Sequence, residues 1–347
     1  MKPTALVVTT VHWPDDTRIR ERLIRTLGQS FGIRYATKSP GPSDRSGLDW
    51  VPLKGGRLRR NLAALRVCTR GPWDVLIVHD PELIPVAVVS RLVRRRPVVL
   101  DVHENIPAIA MTREWVPGAM RRPLAAVMRW LLRVAERALT VTLAEDGYQE
   151  LFAREHVVFA NYPDTRRYPE PGPGDRSVVY LGDVTVERGA RVAVEACRIA
   201  GLPLEFVGRV GDELRRELTE SSHGAGVRFT GALANPIALE EIRAGGVAIA
   251  PLLDSPNYRN SAPTKVLEYL ALGLPVVASD LPGTRRLVAG LEAVELVDPA
   301  DPGLLAAAAL RSLEPGVRAT AARQASRVRD SFQWPGDEVT RFYLSLV

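Results

Sequence analysis

The sequence predicts an α/β protein built of two doubly wound domains facing a cleft, with a last helix that returns to the first domain. Three observations carry this reading. Short, continuous Val/Leu/Ile runs alternate with helical patterns, which marks parallel strands buried on both faces. The alternation occurs twice along the 347 residues, more chain than one ordinary domain uses. Between the two sets, residues 161–174 hold four prolines and two glycines in fourteen positions, the composition of a linker.

The first half has strand patterns at 4–11, 32–37, 74–78, 97–102, 139–142 and 157–160. Its helical patterns are 16–28, 57–69, 82–94, 117–137 and 145–154. The second half has strands at 177–182, 203–207, 227–230, 247–251, 275–279 and 293–297. Its helices are 188–200, 212–221, 236–244, 262–272, 283–289, 301–313 and 315–331. In helix 262–272, Pro263 suits the first turn, Leu267, Leu270 and Ala271 share a face, and Gly273 ends it. Gln333-Trp-Pro-Gly336 is a second break, followed by an amphipathic helix at 337–346. The expected domains are therefore 1–162, with 335–347 packing back on it, and 163–334. Both have a Rossmann-like, doubly wound pattern.

Apolar residues make up 46% and charged residues 25%, as in ordinary globular proteins. No apolar run approaches the ~20 residues that span a bilayer. Met1-Lys2-Pro3 leads into strand-like Ala5–Val8 with no small-residue cleavage site, so no signal peptide is expected. Cys68 and Cys197 lie in helical patterns without metal spacing and read as reduced core thiols of a cytoplasmic protein. Charge is uneven: residues 1–162 hold 25 Lys/Arg against 16 Asp/Glu, whereas 163–347 hold 21 against 24. A basic first half suggests an anionic surface or ligand there.

In open parallel sheets, ligands bind beyond the carboxyl ends of the strands. The residues that follow strands are therefore the candidates. After 177–182 comes Gly182-Asp183, with Arg188 at the start of the next helix; after 203–207 comes Gly208-Arg209. Neither loop is a dinucleotide or P-loop fingerprint, and each alone reads as turn chemistry. The stretch from Asn260 and Ser261 through Thr264 and Lys265 to Glu268 adds an anion-binding lysine and a carboxylate three residues on, on one helix face. Lys265 is one of four lysines among 46 basic residues, although a solvated cap with an i,i+3 ion pair is the plain alternative. In the first half, His12 with Asp16 and Arg18, His79 with Asp80, and His103 with Glu104 each follow a strand. Three histidines on one sheet edge suit hydrogen bonding to hydroxyls or a phosphate. No set has metal-ligand spacing, and no metal or cofactor is expected.

With these motifs the chain resembles the GT-B glycosyltransferases, specifically the large retaining family 4 group, over nearly its whole length. The segment from Val247 to Ser279 is the most specific part. Val11–Arg18, Asp101-Val-His-Glu104, Asn161-Tyr-Pro-Asp164, and Tyr180–Gly182 with Glu187-Arg-Gly189 are also similar to that group's stretches. The resemblance implies a nucleotide-diphosphate-sugar donor held by the second domain and an acceptor hydroxyl held by the first. It implies metal-independent transfer with retention by front-face attack. On that likeness Glu268 binds the donor ribose, Arg188 and Lys265 with backbone N–H groups near Ser261–Thr264 hold the diphosphate, and His103 meets the transferred sugar. Two positions depart from the group's pattern: Asn260 stands where a glutamate is frequent, and Asp183 where an arginine is. Family frequency favours uridine over guanosine. A nucleotide-sugar epimerase or phosphorylase on the same fold, or an inactive donor-binding partner subunit, is the alternative.

Residues 118–137 interleave arginines with Trp130, Leu131 and Val134. This reads either as a core-facing helix with a solvated Arg face or as a basic surface helix for anionic lipid at the inner face of the cell membrane. Nucleic acid is not an expected partner, because no aromatic-interleaved basic strand motif is present.

Overall fold

The structure is a computed structural model that describes residues 2–112, 116–223 and 226–347. The chain divides into two compact units, Met1–Asn161 with Trp334–Val347, and Tyr162–Gln333. The first unit holds a seven-stranded parallel sheet of β1 (Thr4–Val8), β2 (Gly32–Lys38), β3 (Leu48–Leu53), β4 (Val75–Val78), β5 (Val98–Val102), β6 (Thr140–Leu143) and β7 (Val157–Val158). Their order across the sheet is 3-2-1-4-5-6-7. The second unit holds six parallel strands, β8 (Val178–Leu181), β9 (Leu204–Val207), β10 (Val227–Gly231), β11 (Val247–Ala250), β12 (Val276–Ser279) and β13 (Val294–Val297). Their order is 10-9-8-11-12-13, so each sheet reverses direction beside its first strand, the switch point where such folds bind ligands.

Strand alternation builds two helix layers per unit. In β1, Leu6 and Val8 join the core under the helices Arg57–Arg70, Ile84–Arg94 and Gly118–Ala138, while Ala5 and Val7 face Ile19, Leu23, Val339 and Tyr343. In β8, Val178 and Tyr180 pack on the Ala190–Ala200 side, and Val179 and Leu181 on the Lys265–Ala271 side. The last helix, Gly336–Leu344, lies in the first unit, where the Trp334 indole N–H donates to Thr26 Oγ1 at 3.0 Å. At the connection, Gln333 Oε1 accepts from the Thr165 N–H at 3.1 Å, and its Nε2 donates to Asp164 Oδ1 at 2.7 Å.

Several elements differ from the sequence expectation, each for a local reason. β1 stops at Val8, because the next residues turn to bond Asp80. β3 was not expected: Leu-Asp-Trp-Val-Pro-Leu has a single fully buried residue, Leu53, and carries Pro52, which an edge strand tolerates. The expected helix 16–28 is a π-helical segment, Thr17–Ile24, followed by one α turn, Arg25–Leu27. Residues 146–151 form a 3₁₀ segment, and an unexpected helix, Ile106–Thr112, starts where Asn105 Oδ1 accepts the Ala108 N–H at 3.1 Å. Helix 262–272 is shorter, Lys265–Ala271, since the Pro263 carbonyl accepts the Val266 N–H in a tighter turn ahead of it. Pro263 therefore precedes the helix.

Candidate active site

In the second unit, three loops converge at the carboxyl end of β8. Gly182 ends that strand at φ +110°, a conformation open to glycine. A methyl group on it would lie 3.6 Å from Lys265 Nζ and 3.8 Å from Arg188 Nη1, so both cations stand over its backbone. Gly208 lets the β9 loop close on this point, because a Cβ there would collide with the Gly182 carbonyl.

Neither cation has a carboxylate ion-pair partner among the described residues. Lys265 Nζ is buried with no hydrogen-bond partner among the described residues and sits 4.2 Å from the centre of the Tyr180 ring. Arg188 Nε donates to the Tyr258 hydroxyl at 3.2 Å, and its guanidinium lies 5.9 Å from that ring's centre. Burial, and next the charge of Arg188, push the Lys265 ammonium down to about 7 against the pull of Glu268 and Asp183. A buried ammonium beside a guanidinium is costly until a negative group arrives. The arrangement is thus poised for a phosphate-type anion. It rests on side chains, since the Lys265–Ala271 helix is only seven residues long.

Glu268 is buried one turn beyond Lys265 and accepts from the Tyr168 hydroxyl at 3.2 Å. Asp183 is held bidentately by Arg209 at 2.8 and 2.9 Å, so its charge is matched locally. Asn260 is exposed, and its carbonyl accepts from Arg286 at 3.2 Å. Ser261 Oγ donates to the Tyr258 carbonyl at 3.4 Å, and Thr264 immediately precedes the helix. Tyr168 and Tyr258, which line these groups, were not singled out from the sequence; their roles depend on contacts made 70 and 100 residues away.

In the first unit, His12, His79 and His103 form one cluster, with ring centres 4.5 Å apart for His12–His103 and 5.5 Å for His79–His103. Asp80 fixes the loop that carries His12: it accepts from the N–H groups of Thr10 and Val11 and from the hydroxyls of Thr9 and Thr10, and lies 3.3 Å from His12 Nε2. Asp16 caps the following segment by accepting the Ile19 N–H at 3.0 Å. Arg18 is buried, and its Nε and Nη2 donate to the two oxygens of Asp101 at 2.9 and 2.8 Å. Burial opposes charge on Asp101, but Arg18 and His79 outweigh it and hold the carboxyl well below its usual range. Burial, then His12 and His79, push His103 down to about 3, so its imidazole is neutral. Glu104 is exposed beside it.

His79, Asp101 and His103 place ligand-type atoms within 4.8 Å of one another. Both oxygens of Asp101 already carry Arg18 donors, so this donor set fits a proton-bearing network better than a cation. Among the described residues the buried Nε2 atoms of His79 and His103 have no hydrogen-bond partner, and that of the less enclosed His103 can serve a hydroxyl ligand.

Two parallel α/β units, one carrying paired cations at its strand ends, are the build of a GT-B glycosyltransferase, and comparison with known proteins agrees. Residues 175–315 match the family Glycosyl transferases group 1. The chain is 26% identical over 329 residues to a glycogen synthase of Mycobacterium tuberculosis, covering 87% of this chain and 77% of that protein. It is also similar in structure to sucrose-phosphate synthase from Thermosynechococcus elongatus, with TM-score 0.78, 17% identity, and coverage of 100% and 99% of the two chains. Anabaena HepE in complex with UDP and glucose is similar at TM-score 0.74 and 14% identity, with 99% of both chains covered. The chain is a glycosyltransferase of the GT-B fold.

The pKa of Lys265 gives a first prediction. In the free protein this amine loses its proton as pH rises through about 7, and a phosphate-type anion bound beside it would restore the proton. Affinity for a nucleoside diphosphate is therefore expected to fall above neutrality, with proton uptake on binding. Calorimetry at pH 8 in two buffers of different ionisation enthalpy measures that uptake; equal heats would contradict it.

Proposed function

We propose that this chain is a retaining glycosyltransferase that moves a sugar from a nucleotide-diphosphate sugar to a hydroxyl acceptor without a metal ion. The observation that carries the reading is the buried, unpartnered Lys265 ammonium beside Arg188. Two fixed cations match the charge of a diphosphate and the extra charge that builds on it as the glycosidic bond breaks. They take the neutralising role that a divalent ion has elsewhere. Glu268, one turn away, accepts hydrogen bonds from the ribose hydroxyls of the donor.

The acceptor hydroxyl attacks the anomeric carbon on the face the diphosphate leaves, and its proton passes to the departing phosphate oxygen. Retention follows without a carboxylate nucleophile. The neutral His103 imidazole hydrogen-bonds the transferred sugar. Uridine is the favoured base, supported by the UDP that the structurally similar HepE carries. The second unit takes the donor and the first unit takes the acceptor, a small molecule, a lipid-linked glycan or a polysaccharide.

Glu268→Ala is expected to abolish or severely reduce transfer and to weaken donor binding. Glu268→Gln, which keeps one acceptor oxygen, should retain part of the affinity. Titration calorimetry with UDP-glucose and GDP-mannose, followed by mass analysis of products over an acceptor panel, tests the reading. Near-normal turnover by Glu268→Ala would remove it, and conversion of donor with no acceptor present would point to an epimerase instead.

A further inference from the structure

Three helices of the first unit, Arg57–Arg70, Ile84–Arg94 and Gly118–Ala138, lie side by side on one face of its sheet. Each buries a stripe in the core: Ala64 and Cys68, Val86 and Ala87, Leu132 and Ala135. Each also carries a second apolar stripe that faces outward. On the first helix Leu58 and Leu62 are 75% and 56% exposed; on the second, Leu92 and Val93 are 71% and 63% exposed. On the third, Met120, Val127 and Trp130 recur at helical spacing, and Trp130 is 63% exposed. A helix on the surface of a globular protein needs one apolar stripe. Two on each of three neighbouring helices make an apolar surface without a cover.

The charge on this face has one sign. The three helices hold twelve arginines and a single acid, Glu136. Glu136 is buried, where it accepts the N–H groups of Ala153 and Arg154. Arg59, Arg66, Arg91, Arg129 and Arg133 are exposed and have no carboxylate partner among the described residues. Arginine richness alone does not produce this. In the second unit, surface arginines stand against acids, as Arg191 does with Glu217, Arg198 with Glu195 and Arg311 with Glu295.

We propose that this three-helix face docks on an anionic lipid surface. Its arginines meet the headgroups, while Leu58, Leu92 and Trp130 enter the acyl boundary between them. Charge complementarity selects the occupant: unpaired arginines with no exposed acid attract a negative surface, and the apolar side chains interleaved with them suit a bilayer interface. Among the described residues no helix is long and apolar enough to cross a membrane, so the contact is peripheral. The proposal goes beyond the donor chemistry and does not depend on it.

Flotation of the full chain tests it, with vesicles of phosphatidylglycerol and phosphatidylcholine against phosphatidylcholine alone. The protein should float with the anionic vesicles only, and less as salt rises. The double variant Arg129→Glu/Arg133→Glu should bind at least about tenfold less. Trp130→Phe should lose part of the blue shift in tryptophan emission seen on vesicle addition. Circular dichroism confirms the fold of each variant, and Arg129→Gln/Arg133→Gln, which adds no repulsion, should show a smaller loss of the same kind. Recovery of the wild type in the soluble fraction with anionic vesicles would overturn the proposal, as would flotation of both double variants as complete as that of the wild type. A dimer in sedimentation that Leu92→Ser/Trp130→Ser dissociates would assign the face to a second copy of the chain instead.

Discussion

Lys265→Met is expected to lower the rate of sugar transfer by about 10²–10³-fold, equivalent to about 3–4 kcal/mol of transition-state stabilisation. The same change should leave the ligand-free protein as stable as before, or raise its melting temperature. The two effects have opposite signs for one reason. Without donor, the Lys265 ammonium is buried over the Tyr180 ring with no hydrogen-bond partner among the described residues and with Arg188 as a like-charged neighbour. Methionine removes that burden and keeps the apolar bulk. On the proposed reading, the ammonium faces the leaving diphosphate once donor is bound, where its charge is needed most. The folded pKa lies below the unfolded value of 10.5. The stability this group contributes is therefore full above pH 10.5 and falls as pH drops toward about 7, where the unfolded chain has gained a proton that the folded chain has not. Melting curves of wild type and variant should thus converge at high pH and separate near neutrality. Single-turnover kinetics and thermal melts on the same preparations check both halves. A variant that loses activity and stability together would mean that Lys265 supports the fold instead.

The second large effect falls on stability. Arg18→Ala should cost about 3–5 kcal/mol, because it strands a buried carboxylate. Arg18 supplies two donors to Asp101, a third to the Phe159 carbonyl at 3.0 Å, and a guanidinium 5.5 Å from the Trp334 ring centre. It therefore joins the end of β5, the chain leaving β7 and the returning C-terminal segment within one unit. The pH dependence should reverse as well. In the wild type Asp101 is held well below its usual range, so its contribution is full above the unfolded value of 3.8 and is lost as pH falls through the folded value. In Arg18→Ala, burial is opposed by His79 and the Thr142 hydroxyl without the guanidinium, and the carboxyl is expected to rise. The variant is then best placed below pH 3.8 and loses stability as pH rises through the new folded value. Urea melts of wild type and Arg18→Ala from acid to neutral pH measure both slopes. Parallel curves would show that Asp101 is not the group at stake.

Much of this was legible in the chain, and the legible parts share a physical basis. Continuous runs such as Val75-Leu-Ile-Val78 and Val247-Ala-Ile-Ala250 can only be strands covered on both faces, so two parallel sheets followed from them. Where burial was one-sided the signal failed. β3, with Pro52 and a single fully buried residue, Leu53, carries no such run. The segment 17–24 reads as an ordinary amphipathic helix, yet it is π-helical and buries Arg18, Arg20 and Arg22. No periodicity argument anticipates three buried arginines, because their partners Asp101, Asp44 and Asn161 lie far along the sequence.

The candidate site divides the same way. Position after a parallel strand singled out Gly182, Arg188, His79 and His103, since the topology sends such residues to the carboxyl edge of their own sheet. The sequence by itself determined the fold class, the glycosyltransferase resemblance and the identity of the cations. Tertiary structure alone decided their electrostatic state. It placed Lys265 against Arg188 without a carboxylate ion-pair partner among the described residues, gave Asp183 to Arg209, and set Arg18 on Asp101 so that the histidines beside it stand with unpartnered nitrogens. Residue types are properties of the chain. Whether a charge is paired, buried or exposed depends on which neighbours folding brings within a few ångströms, and the local pattern does not contain that distance.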